Sequence, residues 1–295
     1  MEKVIVVIGP TSVGKTKMGV ALAKKFNGEV ISGDSMQIYK LMDIRTAKVP
    51  EEEQEGIIHH CVDILNPDET YSVHDFQQTV RKKITEITQR GHVPIIVGGT
   101  GLYIKAALYD YQFDEMENDH HAINEKYKDY TNEQLHDHLK SIDEESAKIL
   151  HFNNRRRVLR AIEIYETTGK RKSEMLEEQE HICLYDAYFV GLTLPRDVLY
   201  ERINKRVDVM MENGLKEEME RLYSQGLTRN HQSMKAIGYK EWFDYYDHQI
   251  DLNDVLELIK KHSRQYAKRQ YTWFKNQFDV HWYDVNLENF EQTIE

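Results

Sequence analysis

Apolar and polar positions along this chain switch repeatedly between short buried strands and amphipathic helices. Val4–Ile8 is a continuous β-branched run, the pattern of a strand covered on both faces of a parallel sheet. A glycine-rich loop follows, then a helical pattern from Lys15 to Phe26. Glu29–Ser32 predicts a second strand that ends at Gly33-Asp34-Ser35. Val73–Arg90 reads as a helix stopped by Gly91, and Pro94–Val97 as a short buried strand running into Gly98-Gly99-Thr100-Gly101. Further on, the patterning predicts a helix over Asn154–Thr168 and a strand over Tyr188–Leu194. A helix opened by Pro195 and ended by Gly214 follows, then a long helix over Asn253–Gln277. No internal repeat or low-complexity segment interrupts the series.

Strands alternating with helices imply an α/β fold, a right-handed doubly wound parallel sheet flanked by helices, and the loop Gly9–Thr16 after its first strand makes it P-loop NTPase-like. In such sheets the loops at the carboxyl ends of the strands form the ligand crevice, and the three loops just named all fall there. The stretch from Gln112 to Ser146 breaks the pattern, being polar, acidic and poor in branched aliphatics. It predicts a small helical insertion domain over 112–146 inside a catalytic core made of 1–111 and 147–295. The 295 residues, 40% hydrophobic and 30% charged, have ordinary globular composition. No apolar run reaches the roughly 18 residues of a membrane span, and the start lacks a signal-peptide pattern. Two distant cysteines, Cys61 and Cys183, suit a reducing cytoplasm, and a monomer with no membrane contact is expected.

A net charge of −11 argues against a nucleic-acid partner until its distribution is followed. Arg155–Lys172 carries seven basic and two acidic residues, and Asp254–Lys275 six and two. Gln112–Lys148 carries four basic and eleven acidic. Two basic stretches therefore stand apart from one acidic segment. On charge alone each is either a solvated helix face or a phosphate-binding surface.

Gly9-Pro10-Thr11-Ser12-Val13-Gly14-Lys15-Thr16 fits the P-loop pattern and lies where that pattern must lie, between a buried strand and a helix. Glycines let backbone amides point at phosphate oxygens, the helix terminus adds partial positive charge, and Lys15 adds a full one. The Thr16 hydroxyl is placed to hold Mg²⁺. Such a loop calls for a diphosphate-bearing ligand and leaves kinases, NTPases and diphosphate-using transferases open. Asp34, ending the second strand beside the P-loop strand, is placed to bind Mg²⁺ through water, to act as a base, or to cap the loop. A phosphoryl-transfer lid would be rich in arginine, and none occurs between Gln112 and Lys148. The His59-His60 pair beside Cys61 and Asp63 makes a poor metal site, since neighbours on a strand face opposite ways.

Seven blocks together resemble the tRNA dimethylallyltransferase family. They are Gly9–Thr16, Asp34-Ser35-Met36-Gln37-Ile38-Tyr39-Lys40, Val97–Tyr103, Arg156–Glu163, Gly191–Arg196, Ala236–Glu241 and Ala267–Phe274. The family usually has glycine where Arg45 stands and proline where Val49 stands, while this chain places Pro50 one residue later. Phe152 and Asn154 replace a usual proline and aspartate, and the insertion lacks an arginine that many relatives carry.

The resemblance implies transfer of a dimethylallyl group from dimethylallyl diphosphate to N6 of adenosine 37 in the anticodon loop of tRNA. It implies Asp34 as general base, with Lys15 and Thr16 as catalytic partners, Thr16 holding Mg²⁺, and Gly9–Thr16 as the diphosphate cradle. It assigns Asp34, Ser35, Met36, Gln37 and Thr100 to reading the extruded base and its neighbours. It assigns Arg156, Arg157, Val158, Leu159 and Arg160 to gripping the RNA. Arg156 and Arg160, four apart, share a helix face, and Val158, Ala161, Ile162 and Tyr165 bury the opposite side. Lys268 and Arg269 are a second candidate phosphate contact, while Tyr271, Trp273 and Phe274 divide between base stacking and core. Three readings compete: a prenyltransferase acting on free AMP, ADP or ATP, a P-loop small-molecule kinase, and an RNA-binding module with an idle P-loop.

Overall fold

The computed structural model describes residues 1–111, 120–177, 180–287 and 290–293. The chain divides into two compact units, Met1–Tyr109 with Cys183–Glu295, and Asp110–Ile182. The second is wider than the insertion expected over 112–146, because it also takes in the arginine-rich helix. Residues 112–119 of that expected insertion lie outside the described residues.

Six strands form the sheet of the first unit: β1 (Lys3–Ile8), β2 (Gly28–Ser32), β3 (His59–His60), β4 (Val93–Val97), β5 (Asp186–Thr193) and β6 (His281–Asp284). Their order is β3-β2-β4-β1-β5-β6 and every pairing is parallel. Helices α1 (Lys15–Phe26), α2 (Glu51–Gln54), α3 (Val73–Gln89) and α4 (Gly101–Leu108) come before the second unit. That unit holds α5 (His120–Lys126), α6 (Asn132–Ile142), α7 (Glu144–Ile149), α8 (Arg155–Thr168) and α9 (Lys172–Glu177). The chain returns through α10 (Arg196–Glu212), α11 (Leu215–Ser224), α12 (Trp242–Tyr246) and α13 (Leu252–Gln277).

Alternation along β1 sends Val4, Val6 and Ile8 into one apolar cluster and Val7 into another, so the sheet is covered on both faces. The first cluster draws on α3 and α13, and the second on α1 and α10. Asp34 does not lie directly beside the P-loop strand, because β4 comes between β1 and β2. Register still brings the loops level. Val97 pairs with Val7 on one side and Ser32 on the other, so the three strands end together. The loops then close on each other: the Gly33 N–H donates to the Val97 carbonyl (2.8 Å), the Gly98 N–H to the Val7 carbonyl (3.1 Å) and the Thr100 N–H to the Gly33 carbonyl (3.2 Å). A Cβ on Gly98 would stand 2.3 Å from the Gly33 carbonyl carbon, so glycine alone permits this approach.

His59 and His60 serve this framework. His60 Nε2 lies 2.5 Å from the Glu29 carboxylate, which also accepts from Arg90 (2.7 Å) and faces His92 Nδ1 (2.7 Å). His59 Nδ1 faces the Ile57 carbonyl at 2.9 Å. Burial alone would raise the Glu29 pKa, but the hydrogen bonds from Arg90, His60 and His92 outweigh it and hold the carboxyl at about 2.

Because the obstacle at Gly98 is backbone rather than a movable side chain, Gly98→Ala should destabilise the protein by about 1–3 kcal/mol. The expected reading is a lower urea midpoint with an unchanged slope. An unchanged midpoint would show that the loops do not depend on this contact.

Candidate active site

The P-loop bridges β1 and α1, with Gly9, Pro10 and Val13 buried and Thr11, Ser12, Gly14, Lys15 and Thr16 half-buried. Ser12 sits at φ 67°, in the left-handed region that serine seldom adopts. The Lys15 ammonium donates to the Pro10 carbonyl at 2.8 Å. Two residues the sequence reading did not single out hold this loop from α13. The Thr11 N–H donates to Gln270 Oε1 (2.8 Å), and Gln270 Nε2 donates to the Gly99 carbonyl (2.9 Å). The Tyr266 hydroxyl donates to the same carbonyl at 3.2 Å. Gln270 is thus a buried strut between the P-loop and the loop after β4.

Asp34 opens the loop after β2. Its Oδ1 accepts the Met36 N–H at 2.8 Å, an Asx turn that fixes the carboxylate's own backbone. The Ser35 N–H donates to the Thr100 hydroxyl (3.0 Å), which donates to the Ser35 hydroxyl (3.3 Å). The predicted residues Asp34, Ser35, Met36 and Thr100 therefore form one connected, half-buried group. Gln37 belongs to it through its backbone, but its amide is engaged. Oε1 accepts from Ser32 (2.7 Å), and Nε2 donates to the Thr46 carbonyl (3.1 Å). As it stands, Gln37 holds the Thr46 loop.

The electrostatics are one-sided. Burial pushes Lys15 down to about 7, the neighbouring Arg206 guanidinium adds to the fall, and Asp34 opposes it. Arg206, on α10, is lowered to about 10 by burial and then by Arg45, again opposed by Asp34. Tyr266 rises to about 12 through burial and the Asp34 charge. Asp34 therefore sits among the same cations as the phosphate cradle. Arg202 Nε donates to the Ser12 carbonyl at 3.0 Å, and Arg206 reaches the Ser12 hydroxyl at 3.5 Å. Arg202 and Arg206 also escaped the sequence reading. Their signal is a pair of arginines four apart flanking the buried seam Leu199, Ile203, Val207 and Met210.

For a divalent cation, the hard oxygen donors are the Thr16 hydroxyl and the Asp34 carboxylate. Among the described residues no group of three or more His, Cys, Asp or Glu gathers as a metal cage. Mg²⁺ commonly takes one or two protein oxygens and completes its shell with substrate phosphates and water, so this sparse set fits it.

In the second unit α8 separates its two faces. Val158 and Leu159 are buried with Leu135 and Leu139 in that unit's own core, so their side chains are turned from solvent. Arg156 and Arg157 are exposed. Arg160, four residues from Arg156, is half-buried and paired with the buried Glu163 at 2.8 Å. Arg155 is used internally, donating to the carbonyls of Tyr127 and Tyr130 at 2.6 Å each. On α13, Lys268, Arg269 and Tyr271 are exposed, Phe274 is core, and Trp273 packs over Gly101.

The family model for IPP transferase matches residues 37–277. The chain is 54% identical to a Bacillus cereus protein named tRNA dimethylallyltransferase, covering 96% of this chain and 90% of that one. It is similar to the solved tRNA delta(2)-isopentenylpyrophosphate transferase of Staphylococcus epidermidis, at 49% identity and a TM-score of 0.71, over 96% and 93% of the two chains. A eukaryotic dimethylallyltransferase acting on tRNA superposes with a TM-score of 0.85 at 33% identity, over 99% of this chain and 76% of that one. With the family model matched over residues 37–277 and a relative 54% identical over 96% of the chain, the chain belongs to the IPP transferase family.

Proposed function

We infer that this chain transfers the dimethylallyl group of dimethylallyl diphosphate to N6 of adenosine 37 in a tRNA anticodon loop. The observation that carries this reading is Asp34, a carboxylate in the loop after β2 whose charge acts on both Lys15 and Arg206. A carboxylate beside a phosphate cradle serves phosphoryl transfer as well, and membership of the IPP transferase family is what selects alkylation. An alkylation must also remove a proton from the attacking amine as the carbon–oxygen bond to diphosphate breaks.

The amine of adenine is a poor nucleophile until that proton becomes acidic in the transition state. Asp34 is the group positioned to take it. The diphosphate departs onto the P-loop amides, Lys15 and Arg206, whose charge is already desolvated and so acts strongly. Mg²⁺, if held by Thr16, would supply further neutralisation of the leaving group. The base must leave the RNA stack to reach this site, a cost of a few kcal/mol that is smaller in a loop than in a duplex. Exposed Arg156 and Arg157 supply phosphate contacts toward the RNA, with Val158 and Leu159 supporting the helix from beneath. Both cysteines are free, consistent with action in the cytoplasm.

Labelled dimethylallyl diphosphate should pass its prenyl group to an anticodon stem-loop faster than to AMP, and labelled ATP should not phosphorylate either. Preference for AMP, or phosphoryl transfer, would sink the reading. Asp34→Asn should lower the single-turnover rate by about 10²–10⁴-fold while stem-loop affinity holds. A rate within twofold of wild type would remove Asp34 as the base. Arg156→Ala should weaken stem-loop binding and reduce its log–log salt slope by about 0.7–1, leaving diphosphate affinity alone. An unaltered slope would take α8 out of the RNA footprint.

A further inference from the structure

Arg45 lies in the loop that follows the Asp34 segment, and its backbone is held with unusual firmness. The carboxylate of Glu218, 1% exposed, accepts the N–H groups of Asp43 and Ile44 at 2.8 Å each and that of Arg45 at 3.4 Å. The buried Tyr239 hydroxyl donates to the same carboxylate at 2.8 Å. The side chain then runs across Gly238. A Cβ there would fall 1.9 Å from Arg45 Nε and 2.1 Å from its Cδ, so the stem occupies the space a larger residue would need. This route delivers the guanidinium to a cleft of about 10 Å³ lined by Thr11 and Ser12 of the P-loop, Arg206 and Ser263, with apolar Ile203, Val207 and Met210 behind them.

Once there, it is poorly satisfied. Arg45 Nη2 reaches the Ser263 hydroxyl at a long 3.4 Å, and Nε is buried with no hydrogen-bond partner. Among the described residues neither Arg45 nor Arg206 forms an ion pair, and the only hydrogen bond drawn from the Arg206 guanidinium is the 3.5 Å approach to Ser12. Two guanidinium groups that share a cleft and are bonded to no carboxylate are costly in a folded protein, even with the Asp34 charge acting on Arg206. A multiply charged anion with several oxygens would satisfy both, and the planar fork of arginine matches phosphate oxygens bidentately.

We propose that Arg45 is a further diphosphate-binding residue, which together with Arg206 grips the diphosphate of the prenyl donor beside the P-loop. This rests on the reading of a diphosphate-bearing donor given above, and adds to it a residue outside the phosphate loop. The cleft of about 10 Å³ admits no whole anion, but Thr11 and Ser12 line it, so the anion within reach of Arg45 is the one seated on the P-loop.

Calorimetric titration with inorganic diphosphate and Mg²⁺ tests this on the full-length protein, with Arg45→Gln and Arg45→Lys beside wild type. Loss of a charged hydrogen-bond partner should weaken diphosphate binding by about tenfold or more in Arg45→Gln. Arg45→Lys should recover part of it, because charge returns without the fork. KM for dimethylallyl diphosphate should rise in proportion, with stem-loop affinity unchanged. Thermal melting confirms that the variants fold. Should Arg45→Gln fail to fold, Arg45→Gly keeps the backbone amides on Glu218 and carries the same test. Unchanged diphosphate affinity in a folded variant overturns the proposal. So does loss of stem-loop affinity alone, which would assign Arg45 to the RNA. Arg45-dependent diphosphate binding by a protein that transfers no prenyl group would instead sink the function proposed above and leave this residue's role standing.

Discussion

Positive charge withdrawn from water, with too little negative charge to match it, governs the first unit of this protein. Arg45 and Arg206 share a cleft with the P-loop, Arg206 acts on Lys15, and the Asp34 charge opposes the shifts of Lys15 and Arg206. Burying ions this way costs free energy in the ligand-free protein, and the cost is recovered when a polyanion arrives. Burial first, and neighbouring positive charge second, push Lys15 toward neutrality and Arg206 below its ordinary range. A preorganised cationic cradle of this kind needs no rearrangement at the moment a diphosphate leaves.

Such a cluster persists only if the backbone cannot relax away from it, and several buried polar groups see to that. Gln270 ties the P-loop to the turn after β4, while Glu218 gathers three consecutive amides of the Arg45 loop. Below them, the shared register of β1, β4 and β2 brings three loops to one level, and the Gly33–Gly98 contact closes the gap between two of them. Framework and chemistry thus meet at the carboxyl edge of the sheet, where open parallel sheets generally bind ligands.

Much of this was legible in the residues. The β-branched run before Gly9 and the helical pattern after Lys15 placed the P-loop between β1 and α1, and Asp34, Ser35 and Thr100 were read into the site that the loops do form. Two things were not legible. Strand order is a tertiary property, and nothing in the local pattern around Val93–Val97 says that β4 slips between β1 and β2. The cations and struts contributed by distant helices were also missed. Arg206 and Gln270 stand on or beside buried seams, where a polar residue reads as an irregularity until the partner element is known. Arg45 stood out in the sequence only as a departure from a familiar pattern. Its meaning appears once Gly238 and Ser263 are seen to bracket it. The resemblance assigned Val158 and Leu159 to the RNA grip with their arginine neighbours, and both side chains lie in the second unit's core, Val158 as its periodicity predicts.

The claim that an anion completes this buried cationic site is read most directly from protons. Lys15, lowered to about 7, is largely uncharged above that pH in the ligand-free protein, and a bound diphosphate should restore its ammonium. Binding should then take up a proton above about pH 7, and affinity should fall as pH rises through that range. Calorimetric titration with inorganic diphosphate at pH 8, in buffers of different ionisation enthalpy, counts those protons for wild type and Lys15→Met. Greater uptake in wild type is the expected result. Equal proton counts in the two proteins would mean that Lys15 is already charged, and would contradict the account.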